Sequence, residues 1–370
     1  MRRHLPIEPR RIVLIKSHSA GIGDILRSSA AWAVLKNRWP KVELHLVFLT
    51  RWPGYPSEAL IQEHHLLSSA HFLPMEESHF WKARGVGPQT WGRLLPALKE
   101  IAKQIQPDLI IDHEPFGLET SLSALWLRSL SKAPIVGVNQ VLGRGLLYDV
   151  AGPSLRNYAK QQDLSWPMDY TERDFAALAA LGLYREGQKI VLAETESGRL
   201  FRNELIERLP QKRSPVIGLN IGCGTLDAEK KRPDLNVLVS VFGKVQQSIP
   251  HTLLLTGAPN EQEINRSFIK KYQEQWGDEE RLIDLAGFTS LSSLTGVINL
   301  CDGFISSDSG PYHMAVAQGV PTLALFNFAS PEHYHHEASI VMMNDFDQYS
   351  LVSFFENVNN PLLRGTPWNG

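Results

Sequence analysis

With 370 residues the chain is too long for one ordinary hydrophobic core, which points to two domains. A formal charge of −2 provides no field that would gather nucleic acid, so no nucleic-acid partner is expected. Two cysteines, Cys223 and Cys301, exclude a disulfide framework and suit a reducing compartment.

The N-terminus is basic (Arg2, Arg3, Arg10, Arg11, Lys16), but its apolar run, Ile12–Ile15, is too short for a signal-peptide core. A soluble, cytoplasmic protein is expected, with a peripheral visit to a membrane surface left open. RIVLIK, 11–16, reads as a central parallel strand. The following SHSAGIGDILRSSAAWAVLKNRWP reads as a loop and a helix with apolar positions at Ile25, Leu26, Ala30, Ala33 and Val34, closed by Pro40. VELHLVFL is the next strand. Gly21 and Gly23 do not make the dinucleotide fingerprint G-x-G-x-x-G. Asp24 carries more information, because the carboxyl end of a first strand faces the ligand crevice in open sheets. It could serve as a helix cap or as a carboxylate that takes a proton from an attacking hydroxyl.

Residues 51–100 hold several histidines without a metal-binding pattern, and the aromatic residues Trp52, Trp81 and Trp91. A helix near 92–104, the strand DLIID, the helical SLSALWLRSL and the strand PIVGVN complete a doubly wound first domain. Residues 139–170 read as irregular, a loop able to lie over a cleft. TERDFAALAALGL resumes a helix with Thr171 as its cap, and the interdomain connection is expected near 208–215.

PVIGLNIGCG restarts the strand–loop pattern. TLDAEKKRPD then brings Thr225, Lys230, Lys231 and Arg232 onto the loop after the strand. A helix, the strand HTLLLTG, a polar helix to about 276, the strand RLIDLAG and the helix TSLSSLTGVINLC follow. GFISSDSGPYHMAVAQGVPTLALF, 303–326, organises this half: strand, polar turn, helix, glycine stop, strand. Ser309, Gly310 and Pro311 have the composition of a helix start, and Gly319 and Pro321 end that helix. A strand running straight into a helix N-terminus sets amides and partial positive charge at the sheet's carboxyl edge, where phosphates bind. Asp308 and His313 flank that start. A basic side chain from the 225–232 loop would complete a clamp for a diphosphate. His333, His335 and His336 lack an acid to complete a metal set, so no metal site is expected.

The opening RIVLIKSHSAGIGDILRSSAAWAVLK, the NIGCGTLDAEKKRP loop, the LIDLAGFTSLSSLTGVINLCD stretch and SSDSGPYHMAVAQGVPTLALF together resemble glycosyltransferase family 9 over nearly the whole chain. The resemblance implies an α/β protein of GT-B type, with two Rossmann-like doubly wound domains facing a cleft. An acceptor-binding domain would span 1–210 and a nucleotide-sugar-binding domain 211–345. The helix and tail of 346–370 could pack back on the first domain. It also implies a metal-independent, inverting transferase without cofactor, taking a nucleotide-sugar donor and a saccharide or lipid-linked saccharide acceptor at the cytoplasmic face of the inner membrane.

By the family's pattern Asp24 matches the general base and Lys230 the lysine that stabilises the departing diphosphate. Thr225, Asp308, Ser309, Gly310 and His313 match groups around the donor, with Pro311 and Gly222 in the same loops and Gly21 and Gly23 beside Asp24. Three departures stand out. Arg232 replaces the tryptophan of K-x-W-P. Asn220-Ile221-Gly222 stands for His-Pro-Gly. Asn327, Phe328 and Ala329 follow Phe326 where Gly-Pro-Thr is usual. The expected reaction is transfer of a sugar, heptose from ADP-heptose by family pattern, to a saccharide hydroxyl such as that of lipopolysaccharide core. Other donors or acceptors, a nucleotide-sugar epimerase and a non-catalytic sugar-nucleotide-binding module are the competing expectations.

Overall fold

The computed structural model describes residues 3–18, 21–50, 53–75, 88–209, 214–223, 228–277, 281–327 and 338–359. It divides into two compact units, Met1–Ile190 and Val191–Gly370.

In the first unit the elements run β1 (Arg11–His18), α1 (Ile22–Leu26), α2 (Ser29–Arg38), β2 (Glu43–Thr50), α3 (Pro56–Gln62), β3 (Ser69–Pro74) and α4 (Pro88–Ile105). Then come β4 (Leu109–Asp112), α5 (Leu118–Ser131), β5 (Ile135–Val138), β6 (Val150–Gly152), α6 (Leu155–Gln161) and α7 (Arg173–Leu178). The strands form a parallel six-stranded sheet in the order β3-β2-β1-β4-β5-β6. Ile12–Ile15 of β1 are fully buried, as expected for a central strand covered on both faces. One face packs Val13, Ile15, Val47 and Ile110 against Leu94, Leu98 and Ile101 of α4 and Leu127 of α5.

The second unit runs α8 (Glu196–Arg208), β7 (Val216–Asn220), α9 (Ala228–Lys231), α10 (Leu235–Ser248), β8 (Thr252–Thr256), α11 (Gln262–Trp276) and β9 (Leu282–Asp284). It continues through α12 (Leu291–Leu300), β10 (Gly303–Ser307), α13 (Gly310–Ala317), β11 (Thr322–Phe326), β12 (Ser339–Met342) and α14 (Gln348–Asn359). Its sheet order, β12-β11-β10-β7-β8-β9, is that of the first sheet read from the other edge. The fold class expected from the sequence is therefore present: two parallel sheets, each flanked by helices, wound in the Rossmann order.

Several local expectations change. The helix after β1 is two helices, broken at Arg27–Ser28. The stretch 139–170 is not irregular, since it supplies β6 and α6. Asp169, not Thr171, provides the side-chain cap there, accepting from the Thr171 amide. The division between units falls before α8, whereas the sequence reading placed residues up to 210 in the first domain. α8 packs on α12, with Thr195 Oγ1 donating to the Ser292 carbonyl at 2.8 Å. The terminal helix α14 sends Leu351, Phe354, Phe355 and Val358 into the second unit's core beside Leu253, Phe242 and Ile305. The tail beyond 359 lies outside the described residues.

The α8–α12 contact also sets backbone against backbone. A Cβ on Gly296 would lie 1.9 Å from the Gly198 carbonyl oxygen, and one on Gly198 would lie 2.2 Å from Thr295 Oγ1. Gly296→Ala improves helix propensity by about 1 kcal/mol but forces the helices apart, at about 1–3 kcal/mol. A lower urea midpoint is expected for this variant. A midpoint above the parent's would show that α8 does not sit on α12 in solution.

Candidate functional site

The winding of each sheet reverses between two neighbouring strands, β1 and β4 in the first unit and β7 and β10 in the second. Loops leaving those strands part in opposite directions and open a crevice at the carboxyl edge. The candidate residues fall on these loops.

In the second unit, β10 ends at Ser307 and α13 begins at Gly310 with Ser309 as its N-cap residue. Ser309 does not cap the helix with its side chain. Its hydroxyl donates to Asn220 Oδ1 at 2.9 Å, tying the end of β10 to the end of β7. Ser307 Oγ donates to the Gly222 carbonyl at 2.7 Å, a second tie across the same pair of strands. Ser309 is thus an internal strut, only 8% exposed. Pro311 lies in the first turn, where a missing amide does no harm. His313 is buried one turn in, its ring 4.8 Å from that of Tyr312.

Asp308 faces the basic turn. Its Oδ2 accepts from Lys231 Nζ at 2.6 Å, both side chains mostly buried. The sequence reading weighted Lys230, which is exposed; the structure pairs its neighbour Lys231 with Asp308. Gly222 makes room for Glu261, since a Cβ there would lie 2.2 Å from the Glu261 carboxyl and displace it. Burial raises the Glu261 carboxyl above the usual range, opposed by the Ala258 amide and by Arg232. Thr225 and the histidines 333, 335 and 336 lie outside the described residues.

In the first unit Gly21 is the N-cap of α1, Gly23 is buried within it, and Asp24 sits in its first turn. Asp24 is therefore a helix residue and not the cap. Its side chain is 51% exposed, with Arg27 Nη1 3.4 Å away. Beneath it, Lys16 Nζ donates to both Asp174 oxygens, at 2.9 and 3.0 Å, and to Ser28 Oγ at 2.6 Å. Ser28 lies at the break between α1 and α2, so this mostly buried lysine anchors the short helix that carries Asp24. Burial alone would raise the Asp174 carboxyl, but the Lys16 ammonium and His113 outweigh it and hold it below its ordinary range.

Asp24 shares a pocket of about 70 Å³ with Glu114, Tyr170 and Arg173, among others. Two guanidinium groups approach the Tyr170 ring, Arg173 at 3.7 Å and Arg27 at 5.0 Å from its centroid. Behind the pocket, Asp112 is fully buried and accepts from Arg144, Tyr148, Thr120 and Ser121, while Arg144 also holds the Glu114 carbonyl. Glu114, Asp174, Tyr170 and Arg173 were not marked in the sequence. Nothing in their local spacing signals a site; the sheet brings them together.

Burial pushes the Glu114 carboxyl up to about 7, against the opposing pull of Lys16. An unfolded glutamate ionises near 4.5, so between that pH and about 7 the unfolded chain sheds a proton that the folded chain keeps. Glu114 therefore makes stability fall as pH rises through this window. In urea titrations Glu114→Gln should gain on the parent by up to about 3 kcal/mol between pH 4.5 and 7.5. An unchanged difference at the two pH values would show that Glu114 ionises normally.

The sequence model of glycosyltransferase family 9 (heptosyltransferase) matches residues 126–349, more than half of the chain. Lipooligosaccharide heptosyltransferase 2 of Campylobacter jejuni serotype O:2 is 34% identical over 127 residues, 34% of this chain and 37% of that protein. The chain thus aligns with little more than a third of this relative's length. Among solved structures, a glycosyl transferase family 9 protein from Veillonella parvula superposes with a TM-score of 0.66 at 16% identity, covering 95% of this chain and 97% of that one. An E. coli heptosyltransferase with ADP-2-deoxy-2-fluoro heptose gives 0.62 at 18%, covering 94% and 99%. These likenesses show the GT-B fold, and the family match holds the whole β7–β11 crevice with its Asp308–His313 segment: the chain belongs to glycosyltransferase family 9.

Proposed function

We propose that this protein is an inverting glycosyltransferase that moves a sugar from a nucleoside diphosphate to a saccharide hydroxyl. The donor in this reading is ADP-heptose and the acceptor a lipopolysaccharide-type core. The observation that carries it is the meeting of a basic turn with the Asp308–His313 helix start at the crevice of the second sheet, inside the family-matched region. The heptosyltransferase relative and the structure with a fluorinated ADP-heptose support heptose as the sugar and ADP as the carrier.

In this reading the second unit holds the donor. The diphosphate lies against the α13 N-terminus and Lys230, with the helix start supplying partial positive charge. The first unit holds the acceptor at the β1/β4 crevice. The acceptor oxygen attacks the anomeric carbon from the face opposite the diphosphate, and its proton passes to the Asp24 carboxylate. The bond from the anomeric carbon to the β-phosphate oxygen breaks with its electron pair leaving on the nucleoside diphosphate. Lys230 and the helix start neutralise the charge that develops there, so they bind the transition state more strongly than the ground state. Asp24 suits its role by exposure: a base on an acceptor must reach substrate.

Asp24→Ala is expected to remain folded and to lose about 10²–10⁴ in kcat, the usual worth of a positioned base. Turnover within about threefold of the parent would remove Asp24 from the reaction. Lys230→Ala should fall by a similar factor of about 10²–10³ through loss of leaving-group stabilisation. The donor is read by calorimetry against ADP-, GDP-, UDP- and dTDP-sugars, followed by product analysis with and without acceptor. Release of an altered sugar nucleotide without acceptor would replace this reading with epimerisation. Binding without transfer to any acceptor would leave a binding module.

A further inference from the structure

The turn that carries Lys230 is held from two directions. α9 is a single helical turn and cannot satisfy its own last carbonyls. Asn327, the first residue after β11, supplies the missing donors. Its Nδ2 donates to the Lys230 carbonyl at 2.9 Å and to the Arg232 carbonyl at 2.6 Å. A primary amide carries two N–H groups, so one side chain can serve both acceptors. Between those carbonyls, Lys231 sends its ammonium to Asp308 at 2.6 Å. The turn is therefore tied to the loop after β11 through its backbone and to the loop after β10 through Lys231. A glycine at 327, as in the family pattern, could make neither amide bond.

We propose that Asn327 is a positioning residue for Lys230, fixing the backbone from which that lysine reaches the diphosphate of the donor. The division of labour follows from the bonds. Lys231 is committed to Asp308, and Asn327 holds the carbonyls on either side of it, so Asn327 fixes the backbone from which the Lys230 side chain departs. A lysine has many rotamers, and fixing its Cα and carbonyl lowers the entropy lost when its ammonium engages phosphate. The inference rests on the reading of Lys230 given above.

The test is a double-mutant cycle on nucleoside diphosphate binding. ADP, GDP, UDP and dTDP are titrated into the parent protein, and the tightest is carried into Asn327→Ala, Lys230→Ala and the double variant. Asn327→Ala should weaken binding about fivefold to tenfold and Lys230→Ala about tenfold or more, the range of a charge-assisted bond. The double variant should bind within about twofold of Lys230→Ala, because Asn327 acts only through that lysine. Asn327→Asp, which sets a carboxylate against two carbonyl oxygens, should be at least as impaired as Asn327→Ala. In transfer assays both Asn327 variants should lower kcat and leave the acceptor KM unchanged, with melting temperatures close to the parent's.

Multiplied losses in the double variant, or an Asn327→Ala protein that binds like the parent, would overturn the positioning role while leaving the reading of Lys230 intact. A parent protein that binds none of the four nucleotides would overturn that reading and this inference with it.

Discussion

A parallel strand can be followed by another only through a crossover, and in both sheets the direction of those crossovers reverses once. That reversal is the constraint on which the rest of the molecule depends. It separates the loop after β1 from the loop after β4, and the loop after β7 from the loop after β10. Asp24 follows β1 and Glu114 follows β4; Gly222 and Lys230 follow β7, and Asp308–His313 follow β10. Residues far apart in the chain meet because winding leaves them a single edge. The serine ties show how tightly: Ser307 and Ser309 fasten the end of β10 to Gly222 and Asn220 at the end of β7.

Charge is distributed by depth around those crevices. Asp112–Arg144, Lys16–Asp174 and Lys231–Asp308 are buried or nearly so, and each joins segments that the chain alone would not hold together. Such pairs need excellent geometry to offset their desolvation, and Asp112 shows it, accepting from four side chains. The two residues given chemical roles, Asp24 and Lys230, are both exposed. The buried pairs fix the backbone, and the exposed charges project from it. The Lys16–Ser28 bond makes this concrete, because it fastens the break between α1 and α2 directly below the turn that presents Asp24.

Central strands were legible because burial on both faces writes a continuous apolar run: RIVLIK, HTLLLTG and TLALF are where they were expected. Of the edge strands, β9 was read within RLIDLAG, but β3, β6 and β12 were not. β3 is only partly buried and includes a histidine and a proline, β6 has three residues, and β12 follows a polar stretch. The division between the two compact units falls earlier than the expected connection for a different reason. ESGRLFRNELIER is mostly polar, and part of the contact between α8 and α12 is glycine backbone on glycine backbone, which writes little hydrophobic period. At the site, glycines, Asp24 and Asp308 could be read from strand–loop–helix junctions. The roles of Asp174, Glu114, Lys231 and Asn327 could not, since they depend on contacts across tens of residues.

The departures at 220–222, at 232 and at 327 are neighbours in space. Asn327 holds the Arg232 carbonyl, and the Arg232 charge acts on the buried Glu261 carboxyl. Glu261 lies against Gly222, whose missing side chain makes room for it, and Gly222 follows Asn220, the acceptor for Ser309. A large aromatic ring at 232 and a bare glycine at 327 would leave this set without its amide donors and its positive charge. Arginine and asparagine supply both, so the substitutions work as one local rearrangement around the same backbone path. What the crevice demands is a basic turn held beside the start of α13. In this chain that demand is met by hydrogen bonds to the turn's carbonyls and by an ion pair from its second lysine. The reaction proposed for the family can then be retained while the side chains that brace it differ, because the geometry it needs is set by the two strands and the helix start.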